Sequence, residues 1–392
     1  MFLFSKIEKV TRDATLSHFF LMFGYKLFSL YFPLFLVARN FSISQVGYTH
    51  FLIYLPIALF APTIGFLNHK INPAILASLG ILGYGVYSLG MIFFSNLFIF
   101  YLFQIILGIS ATLFFVSSRA ILMGSELENP DRAFAWFYSA SSYSDAIAPA
   151  VGAFFVWKFD FFGVFIFSLI LQFLNAIFCF LSLRKKAFNL TESIKIKESS
   201  QNYLKVLKTV KGRSISPFVL TSFLVLILAG FNNIFFVLFL KNLGWSQNQI
   251  LIFNSILSLV FLPISLLIIK QVAKFKSETN ISQGSQITGV FSILLGSLAS
   301  ILNFYSMFFI TLGQYAGGLI ASAGRSGLLT TKLKEYPEES AAVDTIFSPL
   351  ATATGALIGG LIIKSLGYPL IFILGGILLF SAGVFGKKLA KF

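Results

Sequence analysis

Two charged residues fall in the middle of long apolar runs. Lys26 stands in Gly24-Tyr25-Lys26-Leu27, and Asp145 ends Ser141-Ser142-Tyr143-Ser144-Asp145. A charge at the centre of a bilayer costs about 2.5–3.5 kcal/mol on insertion scales, so such residues face a cavity and find partners. An ammonium and a carboxylate offset each other's desolvation when they pair. The pair has two readings: a fixed brace, or a group that takes a proton and meets substrate. In the second, Asp145 is the proton-coupling carboxylate, and Lys26 is its partner or the anchor of an anionic substrate.

Other polar residues sit at mid-run: Tyr25 and Tyr143 beside the two charges, and Tyr54, Gln104, Asn232, Asn233, Asn254 and Gln314. They line a polar cavity, or they make hydrogen bonds between helices. Pro149, Gly152, Gly355 and Gly359 supply a bend and small surfaces on which helices approach closely. Nothing catalytic stands out. The chain has three His and one cysteine, Cys179, and no phosphate-binding Gly-x4-Gly-Lys loop. No metal-ligand spacing appears, and a single cysteine forms no internal disulfide. An enzyme and an ATP-driven pump are both disfavoured. No cofactor is expected, and a proton or ion gradient is the natural energy source.

These residues need helices to hold them. Hydrophobic residues make up 57% of the chain and charged residues 11%, with 50 Phe among 392 positions. A soluble domain carries about 25% charged residues, so the bilayer must be the solvent. Twelve runs fit spanning helices of about 20 residues: 16–38, 45–66, 73–94, 97–118, 134–157, 163–183, 216–240, 247–269, 284–303, 305–328, 342–363 and 367–386. Pro73 and Pro217 stand where helices begin, where a missing N–H costs little. With the N-terminus inside, 24 Lys and Arg fall on inner segments and 4 on outer ones. Positive charge marks the cytoplasmic side, so both termini are expected in the cytoplasm and the protein in the plasma membrane. The net charge of +15 is spread over those loops, and no nucleic-acid partner is needed to explain it.

The chain also repeats itself. Arg119-Ala-Ile-Leu is echoed by Arg325-Ser-Gly-Leu-Leu, and Glu126-Leu-Glu128 by Lys332-Leu-Lys334 with opposite charge. Pro130 to Gly152 and Pro337 to Gly359 both cover 22 positions. A repeat of this kind defines the fold. The expected division is residues 1–183, a basic linker at 184–215, and residues 216–392. Part of the linker, from Tyr203 to Val210, has apolar residues at helical spacing and lies on the inner leaflet or in solvent. In this register Asp145 stands opposite Thr352.

Twelve spans, two parallel halves and a basic central loop resemble the major facilitator superfamily of transporters. The loop Gly65-Phe-Leu-Asn68-His69-Lys70 is similar to that family's Gly-x-Leu-Ala-Asp-Arg/Lys loop, with Asn68 at the acidic position. Ala148-Pro149-Ala150-Val151-Gly152-Ala153 resembles its Gly-Pro-x-x-Gly-Gly element. The resemblance implies an all-α integral membrane protein with twelve transmembrane helices in two pseudo-symmetric six-helix bundles. It implies a monomer that moves a small molecule by alternating access. Proton-coupled efflux of amphipathic, drug-like compounds leads; uptake or exchange of an anionic metabolite, a lysolipid flippase and a non-transporting scaffold or sensor are the alternatives. Arg119, Arg325, Glu126 and Asp131 then resemble a cytoplasmic gate, with cross-half ion pairs that Lys332 and Lys334 would join.

Overall fold

The computed structural model describes residues 7–29, 39, 43–93, 96–185 and 196–389. Every regular element among them is an α-helix. In chain order these are α1 (Lys9–Ser29), α2 (Ile43–Asn68), α3 (Pro73–Phe93), α4 (Leu97–Met123) and α5 (Pro130–Leu183). There follow α6 (Ile196–Val210), α7 (Ser216–Asn242), α8 (Gln247–Val272), α9 (Ser277–Ser297), α10 (Phe304–Lys332) and α11 (Pro337–Leu389).

α5 and α11 are each two helices joined at one non-helical residue, Asp160 with φ 57° and Gly367 with φ 69°. These residues are 207 positions apart, the separation of Pro130 from Pro337. The repeat in the sequence is therefore a repeat of backbone geometry. Glycine adopts that conformation freely, whereas Asp160, with ψ −176°, holds a backbone that residues other than glycine rarely adopt. Asp160 Oδ1 accepts the Phe161 amide at 2.7 Å and fixes the corner. Among the described residues, counting the legs of α5 and α11 separately, and setting α6 apart, gives six helices on each side of the linker.

In the first bundle α1 lies along α5, α3 packs on α4 and α5, and α2 packs on α4. In the second, α7 lies along α11, and α9 packs on α10 and α11. The bundles meet where α5 touches α8 and α10, and where α11 touches α2 and α4. Six described segments are long and apolar enough to cross a membrane, with two shorter apolar stretches at Leu52–Asn68 and Ser216–Asn232. Helices such as α1 fall short on composition because Lys9, Arg12, Asp13 and Lys26 interrupt them.

Helix starts follow capping chemistry. Asn129 caps α5 through the Arg132 amide at 2.8 Å, with Pro130 at the first position. Asn303 and Ser306 form a reciprocal capping box that separates α9 from α10. Inside the bundles, where lipid offers no hydrogen bonds, polar side chains find helix carbonyls. Gln172 donates to the Leu21 carbonyl, Asn175 to Ser17 and Ser168 to Gly24, each at 2.9 Å, fastening α1 to the second leg of α5.

α6 lies in the linker and marks one face of the molecule, called the linker face below. Its Val206 is fully buried, and the Tyr203 hydroxyl donates to the Pro62 carbonyl at 2.9 Å. Leu204 and Leu207 point away from the protein, 67% and 43% exposed.

Small residues set the close approaches. A Cβ at Gly152 would run into the backbone of Leu27, one residue from Lys26. One at Gly355 would meet the backbone of Ile227 and Phe231, and one at Gly359 the rings of Phe231 and Phe235. Pro149 lies on α5 one turn before Gly152; its side chain is outside the described residues. Gly152→Val should therefore push α1 off α5 and lower stability by about 1–3 kcal/mol, as overpacking does. Gly318, with open space around it, is the control: Gly318→Ala should be neutral or stabilise by up to about 1 kcal/mol. Thermal unfolding of the two variants in detergent checks both.

Candidate functional site

Lys26 of α1 and Asp145 of α5 do meet. The ammonium lies 2.5 Å from Asp145 Oδ1, with side chains 23% and 37% exposed. Tyr315 of the second bundle interacts electrostatically with Asp145, so the pair faces the space between the bundles rather than lipid. Tyr25 stacks edge-on against Tyr84 at 5.8 Å, and Tyr54 is half-buried. The Tyr143 hydroxyl accepts from Ser265 of α8 at 2.9 Å, a hydrogen bond between bundles.

The other mid-span candidates separate. Gln104 is fully buried inside the first bundle, between the Tyr87 hydroxyl and the Phe100 carbonyl at 3.4 Å each. Its role here is helix packing, not cavity lining. Gln314 is buried and donates to Ser292 at 2.9 Å, and it accepts from Asn232 at 3.4 Å. Asn254 is half-buried. The side chain of Asn233 lies outside the described residues.

Towards the linker face, Arg119 and Arg325 converge on one acid. Asp344, fully buried at the start of α11, accepts Arg325 Nε at 2.7 Å and lies 3.6 Å from Arg119 Nε. The Tyr138 hydroxyl and Ser326 complete the cluster, both donating to Asp344 Oδ2, at 3.1 and 2.8 Å. Arg119 lies over the rings of Phe115 and Tyr138, 5.7 and 5.5 Å from their centroids. The lock thus joins α4 and α5 of one bundle to α10 and α11 of the other.

The partners expected for this lock need correction. Glu126, Lys332 and Lys334 are exposed, and Glu128, in the loop before α5, pairs with Arg132 of its own bundle at 3.1 Å. Loop charges remain in water because nothing compensates their desolvation there; two buried guanidiniums require a buried acid. Asp344 is inconspicuous in the sequence because it falls two residues into a predicted span, where a charge costs little. Asp131 does join the bundles: Ser277 and Asn280 of α9 donate to it at 2.6 and 2.5 Å. Asn129, besides its cap, donates to the Ala273 carbonyl at 3.0 Å.

A further cluster was not visible in sequence. His69, after α2, lies 2.8 Å from Glu339 and 3.9 Å from Glu338, both in the first turn of α11. The reading of no metal-ligand cluster is corrected here, since these three buried groups could hold an ion. Folding joins them across some 270 residues, which no local spacing can reveal. Asn68, at the family's acidic position, is buried and accepts from Ser117 at 2.8 Å. Each of these contacts between bundles lies on the linker-face side of Asp145.

Asp344→Asn removes the one carboxylate between two buried guanidiniums. Breaking such a pair costs about 3–5 kcal/mol, so the linker face should open, and a cysteine introduced at the buried Ala135 should react faster with a soluble thiol reagent. An unchanged rate would count against the lock. Asp131, just before the spanning part of α5, adds a pH dependence. Burial, the largest cause, pushes its carboxyl up from 3.8 to about 6, with help from Glu278 and against the hydrogen bonds of Ser277 and Asn280. The closed face therefore holds the proton more tightly than an open, hydrated one. This contribution to closure is complete below 3.8 and is lost as pH rises through about 6. The same cysteine should react more slowly in acid than near neutrality, after allowance for thiol ionisation, and Asp131→Asn should flatten the difference.

This architecture has known counterparts. Among solved structures, the human organic anion transporter MFSD10 (TETRAN) matches with a TM-score of 0.74 at 14% identity, covering 96% of this chain and 99% of that one. A bacterial homologue of the iron transporter ferroportin, in an outward-facing state, matches with a TM-score of 0.73 at 12% identity, covering 98% and 100%. The E. coli fucose:proton symporter FucP gives 0.73 at 10% identity, covering 97% and 98%. At such identities the likeness is one of fold. A search of curated protein sequences found no match. The family model of the Major Facilitator Superfamily matches residues 14–343. Two six-helix bundles, a repeat shared by sequence and backbone, and that match over most of the length lead to one conclusion: the chain belongs to the major facilitator superfamily, whose members are transporters rather than enzymes.

Proposed function

We propose that this protein exchanges protons for an amphipathic organic compound across the plasma membrane, and exports the compound by alternating access. The Lys26–Asp145 pair carries the reading, because it is bonded at 2.5 Å yet remains 23% and 37% exposed. A brace would be sealed; this one faces the space between bundles with tyrosines around it. The carboxylate is the more accessible partner. A proton or a cationic head group competes for Asp145, and each displaces Lys26 from it. Aromatic walls accommodate the apolar part of the substrate.

The placement of contacts supports the cycle. The linker face is the basic one, which makes it cytoplasmic by the charge rule. With the bundles joined there, the arrangement is outward-facing, the state in which the ferroportin homologue was solved. Export then ends in this state: substrate leaves outward and a proton takes its place. The protein works as a monomer, since both bundles of one chain supply the lock and the cavity.

A second reading is exchange of an organic anion anchored by Lys26. Arg119 favours it, since its buried Nε and Nη1 have no hydrogen-bond partner and lie on the path below the cavity. MFSD10, named an organic anion transporter, has the same fold.

Proteoliposomes with an imposed pH gradient test the proposal. Asp145→Asn should reduce gradient-driven flux by at least about tenfold, a change of about 1.4 kcal/mol in barrier, while substrate-for-substrate exchange persists. Unchanged proton-coupled flux would sink the coupling role. Lys26→Ala separates the two readings: transport of lipophilic cations survives it, and transport of organic anions is lost with it.

A further inference from the structure

We infer that His69, Glu338 and Glu339 form a binding site for a divalent transition-metal ion, and that this ion clamps the linker face shut. The three side chains are 5%, 2% and 0% exposed, and their ligand atoms lie within 4.8 Å of one another. An ion about 2.0–2.2 Å from each nitrogen and oxygen needs them no more than about 4.4 Å apart, which small side-chain movements within such a cluster supply. One imidazole and two carboxylates are a borderline donor set. It suits zinc, manganese or ferrous iron better than calcium, which takes six to eight oxygens. With a neutral imidazole the two carboxylates carry a charge of −2, matching a dication.

A second observation points to a ligand. Glu339 Oε1 contacts His69 at 2.8 Å, while its fully buried Oε2 has no hydrogen-bond partner. Leaving a buried carboxylate oxygen without a partner is costly. Both oxygens belong to one carboxylate, so the orphan lies at the edge of the same cluster. An ion held by both oxygens would satisfy it and add a fourth ligand atom. Asn202, which donates to Glu339 Oε1 at 3.4 Å, borders the site as an outer partner.

The position of the site gives the ion an effect. His69 belongs to the first bundle and both glutamates to the second. The ligand set exists only while the linker face is closed, and it is pulled apart when the bundles separate there. A ligand that binds one of two conformations shifts the population towards it. The metal therefore favours the closed linker face from a position remote from Lys26 and Asp145. It is bound as a clamp and is not carried.

Titration calorimetry of the full-length protein in detergent, with zinc chloride and manganese chloride, tests this. One saturable site per chain is expected, with zinc raising the melting temperature. His69→Gln can keep the hydrogen bond to Glu339 but loses the imidazole; it should weaken binding by more than about tenfold, the smallest loss usual even for outer partners of a metal. Glu339→Gln should do the same. Absence of a saturable site, or unchanged affinity in His69→Gln, overturns the proposal, since binding would then reside at His18, His50 or nowhere. If the variants do not fold, X-ray absorption at the zinc edge of the wild-type protein decides. Imidazole and oxygen scattering with no sulfur supports the site, and a shell lacking imidazole overturns it.

Discussion

Asp344 lies 2.7 Å from Arg325 of its own bundle and 3.6 Å from Arg119 of the other, and the closed face of the molecule depends on that shared carboxylate. Attraction between buried charges is strong, but removing them from water costs nearly as much. The near-cancellation suits an interface that must open. Leucine packing in the same place would gain from burial and lose the whole gain on separation. Charges lose their partner but recover water, so the two states stay close in free energy. A transporter needs that closeness, because a ligand can shift only an equilibrium that is already near balance.

α5 carries this logic along its length. Asp131, Tyr138 and Asp145 are seven residues apart, two turns each, and so lie on one face about 10 Å apart along the axis. That face looks across to the second bundle at three levels. Asp131 meets α9, Tyr138 meets Ser326 and Asp344, and Asp145 faces Tyr315. One helix face therefore links the Asp131 contact at the linker face, the Asp344 lock and the charged pair, and Gly152 holds the same helix against α1. Tilting α5 moves all three levels together.

The sequence revealed most of this where the signal was local. Proline and glycine spacing located the repeat, and the backbone repeats it at Asp160 and Gly367. Lys26 and Asp145 were visible because a charge inside an apolar run is rare and costly. Asn303 and Ser306, the only sign of a turn between two spans, are a capping box. What stayed hidden depends on distance along the chain. Asp344 and the glutamates of α11 look like ordinary charges near a helix start, a place where acids are favourable anyway. Only the packing of α11 against α2 and α4 makes them partners of His69 and Arg119. Gln104 shows the limit from the other side: a polar residue at mid-span is compatible with cavity lining or with a hydrogen bond between helices, and only the tyrosine on the neighbouring helix decides for the second.

The two copies of the repeat place their acids differently, and this makes the two bundles electrostatically unequal. Asp145 has Thr352 opposite it, and Asp344 has Phe137 at the matching position. One copy keeps its acid at the pair with Lys26, the other at the lock. When the bundles separate on the linker face, the 2.7 Å contact of Arg325 with Asp344 stays within the second bundle. The contact broken is the longer one, at 3.6 Å, to Arg119. The first bundle then presents an uncompensated guanidinium over the Tyr138 ring, about two turns along α5 from Asp145. Opening thus leaves the positive charge of Arg119 without its partner on the same bundle that holds the proposed coupling carboxylate, while the second bundle keeps a neutral Arg325–Asp344 pair. Unequal sharing of Asp344 ties the charge that the first bundle presents at the linker face to the position of the bundles, without any moving part beyond the two bundles themselves.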